Sequence, residues 1–282
     1  MSAILALLSS LLWGFADFLG GTVSRRITAY AVIGVSQTLA LAGALIAAAV
    51  MGSFNDPLGY LPWALGAGAA GFVGVVAFYQ ALATGTMGVV APIAATGVIV
   101  PVAIGLAKGE SPSALQLAGA AIAIFGVVLA SGPDMRRSSD NHTTRPIVLA
   151  FVAAGGFGFA LYFIAEGSAH SVVMTLIFMR VVDVGVVATM ALVVRNLGGF
   201  RPRDLPVLAT LGASDIVANA LYGVATTSGL VSLTAVLASL YPAVTVLLAR
   251  RVHGERLRRV QDVGVVATLC GVVLLAAGGG VG

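Results

Sequence analysis

Apolar runs of about twenty residues repeat along nearly the whole chain, broken by short polar stretches. That length matches the hydrocarbon thickness of a bilayer. Backbone groups in lipid must find partners within their own segment, so each run is predicted to be a helix. The runs fall at 2–22, 29–51, 61–83, 86–107, 113–131, 147–166, 170–194, 204–226, 230–250 and 260–278. The expected fold is therefore an all-α membrane protein with ten transmembrane helices. Gly and Ala crowd several runs, as at Gly66, Gly68, Gly71 and Gly74. In lipid, small residues let helix backbones approach closely.

The longest polar stretch, 132–146, holds Asp134, Arg136, Arg137, Asp140 and Asn141. It reads as a linker between two five-helix halves, 1–131 and 147–282. The halves echo each other. Gly14-Phe15-Ala16 answers Gly158-Phe159-Ala160, and Gly109-Glu110 answers Gly254-Glu255. In the latter register Gln116 pairs with Gln261, Gly119 with Gly264, and Gly126 to Leu129 with Gly271 to Leu274; Tyr79 pairs with Tyr222 two residues out of it. Ordered matches at a nearly constant offset of 143 to 145 point to duplication. Five is odd, so the second copy must enter the membrane from the opposite face. That is an inverted repeat, a plan that sets a solute site near the bilayer midplane.

Composition agrees with the pattern. Of 282 residues, 59% are hydrophobic and only 9% charged, against about 25% charged in soluble proteins. Too few polar residues exist to clothe a soluble domain. The net charge of +4 does not indicate nucleic-acid binding, because the basic residues lie between spans. Loops after spans 1, 5, 7 and 9 hold two, three, three and five Lys or Arg, thirteen of the fifteen in all. Lys108 lies in an even loop and Arg180 inside a span. By the positive-inside rule the odd loops face the cytoplasm and both termini lie outside. No Lys or Arg precedes the first apolar run, so it reads as a retained helix rather than a signal peptide. The single cysteine, Cys270, excludes an intrachain disulfide and reads as a packing residue.

Taken together, Leu12-Trp13-Gly14-Phe15, the paired halves and the stretch Leu237 to Thr245 leading to Gly254-Glu255 resemble the EamA type of the drug/metabolite transporter superfamily. The resemblance covers essentially the whole chain. Phe178-Met179-Arg180 resembles the arginine which that family often carries in its seventh helix. Pro101 in the first half does not fall where Pro242 does, and Asp17 stands where the family usually has an apolar residue. The resemblance implies a multi-pass protein of the bacterial inner membrane with both termini cytoplasmic, opposite to the charge count.

Charges inside spans normally face protein or water, since a central one costs about 2.5–3.5 kcal/mol on insertion scales. Arg180 and Asp183 share a helix face, and Asp215 lies at similar depth in the next span. They form either a structural ion pair or a cavity wall. Trp13, Tyr79, Gln80, Asn219 and Tyr222 complete the candidate lining. Trp and Tyr offer flat apolar faces with one polar group each, and an amide inside a span needs a partner. Asp17 is the proton-coupling candidate, because a lone carboxyl in a water-poor cavity can exchange a proton for substrate. The alternative sets it at the membrane edge, solvated or paired with Arg25. Pro92, Pro101 and Pro242 interrupt helical hydrogen bonding and serve as gating kinks or static bends.

His142, His170 and His253 are scattered, and no GxxxxGK[ST] loop occurs, so neither a metal set nor self-powered ATP-driven transport is expected. No cofactor is expected. The reading is a secondary transporter of small organic solutes, export favoured over uptake. A membrane enzyme on a lipid-linked substrate and a membrane sensor or structural subunit are the rivals. Two halves in one chain suffice without a second copy, and a homodimer stays open.

Overall fold

The computed structural model describes residues 1–85, 87–130, 144–194 and 198–253, with 260, 263–264, 266–267, 270–271 and 273–274. Among them the regular structure is entirely helical. Helices α1 (Ser2–Val23), α2 (Ala29–Met51) and α3 (Leu61–Thr84) are continuous. The fourth run is broken into α4 (Met87–Ala95) and α5 (Ile99–Ala107) by a tight turn at Thr96–Val98. Next come α6 (Ala114–Ala130), α7 (Arg145–Ser168), α8 (Val172–Val194) and α9 (Leu205–Thr227). The ninth run is again broken, into α10 (Val231–Ala238) and α11 (Tyr241–His253). Eight of these stretches are long and apolar enough to cross a membrane, and Ala114–Leu129 is a shorter apolar helix. The expected tenth run falls mostly outside the described residues. Its described members are helical, and Gly271 lies against Gly119 and Ala123 of α6. Gly254, Glu255, Gln261, residues 132–143 of the linker with His142, and Arg256 also lie outside them.

Local chemistry accounts for several ends. Thr28 caps α2 by accepting from the Ala31 N–H at 3.2 Å. Ser113 and Gln116 form a reciprocal capping box on α6, which gives the repeated glutamine a task in the first half. Both breaks sit just ahead of a proline. A helical proline clashes with the carbonyl four residues back, which is Gly97 for Pro101 and Ala238 for Pro242. Each proline thus stands in the first turn of the second piece, where its missing N–H costs nothing. Pro92 lies inside α4.

Packing pairs the halves rather than closing each on itself. The most extensive contacts are α3 with α7 and α1 with α9, followed by α3 with α8, α2 with α8 and α2 with α9. Exchanging the halves turns each of these pairings into another on the same list, with α2·α8 its own counterpart. The buried core accordingly runs along the seam between the halves. Large apolar side chains such as Ile46, Val73, Phe125, Phe151 and Leu192 point outward, as a lipid solvent demands. Cys270, expected to pack, is exposed instead.

The glycines of the repeated Gly-Phe-Ala triplets mark close crossings. A methyl group added at Gly14 would come within 2.6 Å of the Tyr241 carbonyl oxygen at the start of α11. One added at Gly158 would strike the Gly97 carbonyl oxygen at the α4–α5 break. In each half, the triplet glycine of one half faces the broken run of the other.

Candidate functional site

The seam opens into a cavity of about 810 Å³, counted with any solvent open to it. Its wall draws on α1, α2 and α3 from the first half and on α7, α8, α9, α10 and α11 from the second. Trp13 and Asp17 come from α1 and lie one helical turn apart. Tyr79 comes from α3, and its ring end packs over Gly20 of α1. Tyr241 enters at the start of α11, directly after the break.

A hydrogen-bonded charge network forms one wall. Arg180, 2% exposed, donates from Nη1 to Asp183 Oδ2 at 3.0 Å and from Nη2 to Asp215 Oδ2 at 2.7 Å. Gln37 on α2 donates to the same Asp215 oxygen at 3.1 Å. Asn219 donates to Asp215 Oδ1 at 3.0 Å and to the Asp215 backbone carbonyl at 2.7 Å. Asp215 is thus held by α2, α8 and its own helix. The ion pairs and the cavity wall are the same residues, so the two readings of Arg180, Asp183 and Asp215 coincide.

Asp17 is treated differently. It is partly buried in the wall, and no hydrogen bond or ion pair reaches its carboxylate among the described residues. It shares the cavity wall with Tyr79, Tyr241 and Asp215. Arg25 is exposed, and Arg26 is taken by Asp204 at 2.9 Å. No Asp17–Arg25 ion pair forms among the described residues.

The profile of the EamA-like transporter family matches residues 1–132 and 144–277, one stretch on each half. The chain belongs to the EamA-like transporter family. Families of this kind are membrane transporters, and the fold is that of an integral, multi-pass membrane protein with a two-repeat architecture. A solved structure described only as "Crystal structure of protein" superposes with a TM-score of 0.74 at 16% identity, covering 98% of this chain and 97% of that one. At that identity it speaks to the fold alone. No curated protein matches the sequence.

In this EamA-like chain Trp13, Asp17, Tyr79, Arg180, Asp183, Asp215 and Asn219 come together around one cavity. Gln80 and Tyr222 lie outside its lining. Gln80 follows Tyr79 and is therefore turned about 100° around the helix. Tyr222 is fully buried; its hydroxyl donates to the Leu161 carbonyl at 3.2 Å and its ring backs Trp13 at 5.7 Å between centroids. Sequence reasoning passed over Gln37, Ser239 and Tyr241. Gln37 carried a usable signal, since an amide within an apolar run needs a partner as much as Gln80 or Asn219 does. Pro92 and Thr96 line a second, smaller cavity with Ser239 and Leu240, so the two helix breaks meet at the seam.

Proposed function

We propose that this protein is a secondary transporter of small organic solutes that works by alternating access. The observation that carries the reading is the cavity at the seam of the two halves, walled by both and holding buried charges. A cavity built from two separable bodies can open to either face as they rock. Interrupted apolar runs at matching places in two halves are a recognised pointer to a transporter's solute site. The breaks at Thr96–Val98 and Ser239–Leu240 are such a pair, and Pro101 and Pro242 behind them are the hinges of this reading. Ten spans arranged as inverted five-helix halves, odd loops in the cytoplasm and a bacterial inner membrane complete it.

Export is the proposed direction, and Asp17 the coupling group. Asp17 faces Asp215 of α9, Arg180 and Asp183 of α8, Tyr79 of α3 and Tyr241 of α11. A carboxyl among these groups and without a fixed partner is free to bind a proton in one state and lose it in another. Reconstituted protein offered a panel of solutes, with and without a proton gradient, tests the proposal. Gradient-stimulated movement of at least one solute is expected. Saturable binding without movement would favour the sensor reading.

A further inference from the structure

We propose that the cavity takes an organic cation with an aromatic or apolar body, its charge resting on the Asp17 carboxylate; this rests on the reading of the cavity as the solute site. Among the described residues the wall carries three carboxylates, Asp17, Asp183 and Asp215, and a single guanidinium, Arg180. Arg180 spends both terminal nitrogens inside the wall, on Asp183 and Asp215. Its remaining Nε is shut off from the open space, so no strong anchor is left for an anion. On Asp215 one carboxylate oxygen accepts from Arg180 and Gln37 and the other from Asn219. The single positive charge of Arg180 is shared between Asp183 and Asp215, and Asp17 has no hydrogen-bonded or ion-paired partner among the described residues.

Its surroundings suit a soft cation. Trp13 lies one turn before it on the same face of α1, and Tyr79 and Tyr241 line the same cavity. Aromatic faces attract cations, most strongly where water is excluded. Tyr241 is 7% exposed and its hydroxyl has no partner among the described residues, a polar group built into this wall and left unused by it. A neutral guest would leave Asp17 unpaired in a poorly solvated place, and an anion would meet the excess negative charge.

The experiment uses the purified full chain carrying Trp63→Phe, which leaves Trp13 the only tryptophan. Three probes of similar shape are titrated by fluorescence: benzyltrimethylammonium, its uncharged isostere neopentylbenzene, and benzenesulfonate. The cation is expected to bind at least about tenfold tighter than either of the others. Asp17→Asn should remove that advantage while the protein still melts near the parent temperature, and Asp17→Glu should retain it. Equal affinity for cation and isostere, preference for the sulfonate, no binding by any probe, or full cation affinity in Asp17→Asn would each overturn the proposal. If Asp17→Asn does not fold, the three-probe comparison on the parent protein decides. Transport separates the two readings. A cation that binds but does not move leaves this inference and removes the transporter reading; transport of neutral or anionic solutes alone does the reverse.

Discussion

At the scale of single residues, Arg180 and Asp17 are opposites. Arg180 is enclosed, doubly paired and shared between α8 and α9. Its removal would strand two carboxylates that have lost their counter-ion in a poorly solvated wall. Breaking a buried ion pair from one side costs about 3–5 kcal/mol, so Arg180→Ala should lower thermal stability in detergent by that order. Arg180→Lys should recover only part, because an ammonium cannot span both carboxylates as the guanidinium fork does. Asp17 has no such partner among the described residues. Asp17→Asn should leave the melting temperature nearly unchanged yet make solute movement indifferent to an imposed pH gradient. A pH-dependent rate in Asp17→Asn equal to that of the parent protein would remove Asp17 from the coupling reading. The in-span charges stood out in the sequence because lipid makes any charge conspicuous. Gln37 carried the same in-span amide signal as Gln80 and Asn219, whereas Tyr241 did not stand out, since tyrosines also occur for packing and only the fold brings the start of α11 to this wall.

At the scale of elements, the broken runs are held from outside themselves. The N-terminus of α10 is capped by Glu110 of the first half, whose two carboxylate oxygens accept from the Val231 and Ser232 N–H groups at 2.8 and 3.0 Å. The turn that presents Glu110 passes through Gly109 at φ +92°, a conformation that favours glycine. A negative group at a helix N-terminus also opposes the positive end of the helix dipole. Glu110→Gln keeps the size but loses the charge and one acceptor, and should cost on the order of 1–2 kcal/mol, read as faster hydrogen exchange in Val231–Ala238. Unchanged exchange there would show the clasp to be idle. The close crossing at Gly14 makes a second expectation. Gly14→Ala must push α11 away at Tyr241 and Val244 and disturb the Thr245 hydroxyl, which donates to the Gly14 carbonyl at 3.1 Å. A cost of about 1–3 kcal/mol in thermal unfolding follows from overpacking. The repeated triplets and the Gly-Glu pair were visible in the sequence as repeats. Their tasks were not, because Gly14, Gly158 and Glu110 each act on the opposite half, far away along the chain.

At the scale of the whole molecule, run lengths and apolar composition were enough to place eight membrane-long helices, because lipid sets one length for all of them. Pairing was beyond reach of the sequence, since every large contact joins one half to the other. Orientation is the property that both sequence and fold bear on. Consecutive spans run antiparallel, so the C-terminal ends of α1, α8-adjacent Arg201 and Arg203, Arg145 and Arg250–Arg251 gather at one face. Lys108, Glu110, Glu166 and His170 mark the other, where Lys108 pairs with Glu166 at 2.6 Å. Arginines resist transfer across a membrane during insertion, so the arginine-rich face should stay in the cytoplasm. Periplasmic-active reporters fused before Met1 and after Gly282 should then both be active outside. Two cytoplasmic termini, as the family resemblance implies, would mean that the arginines serve the outer face. One terminus on each side would mean an odd number of spans, and would overturn the inverted five-plus-five plan together with the ten-helix count.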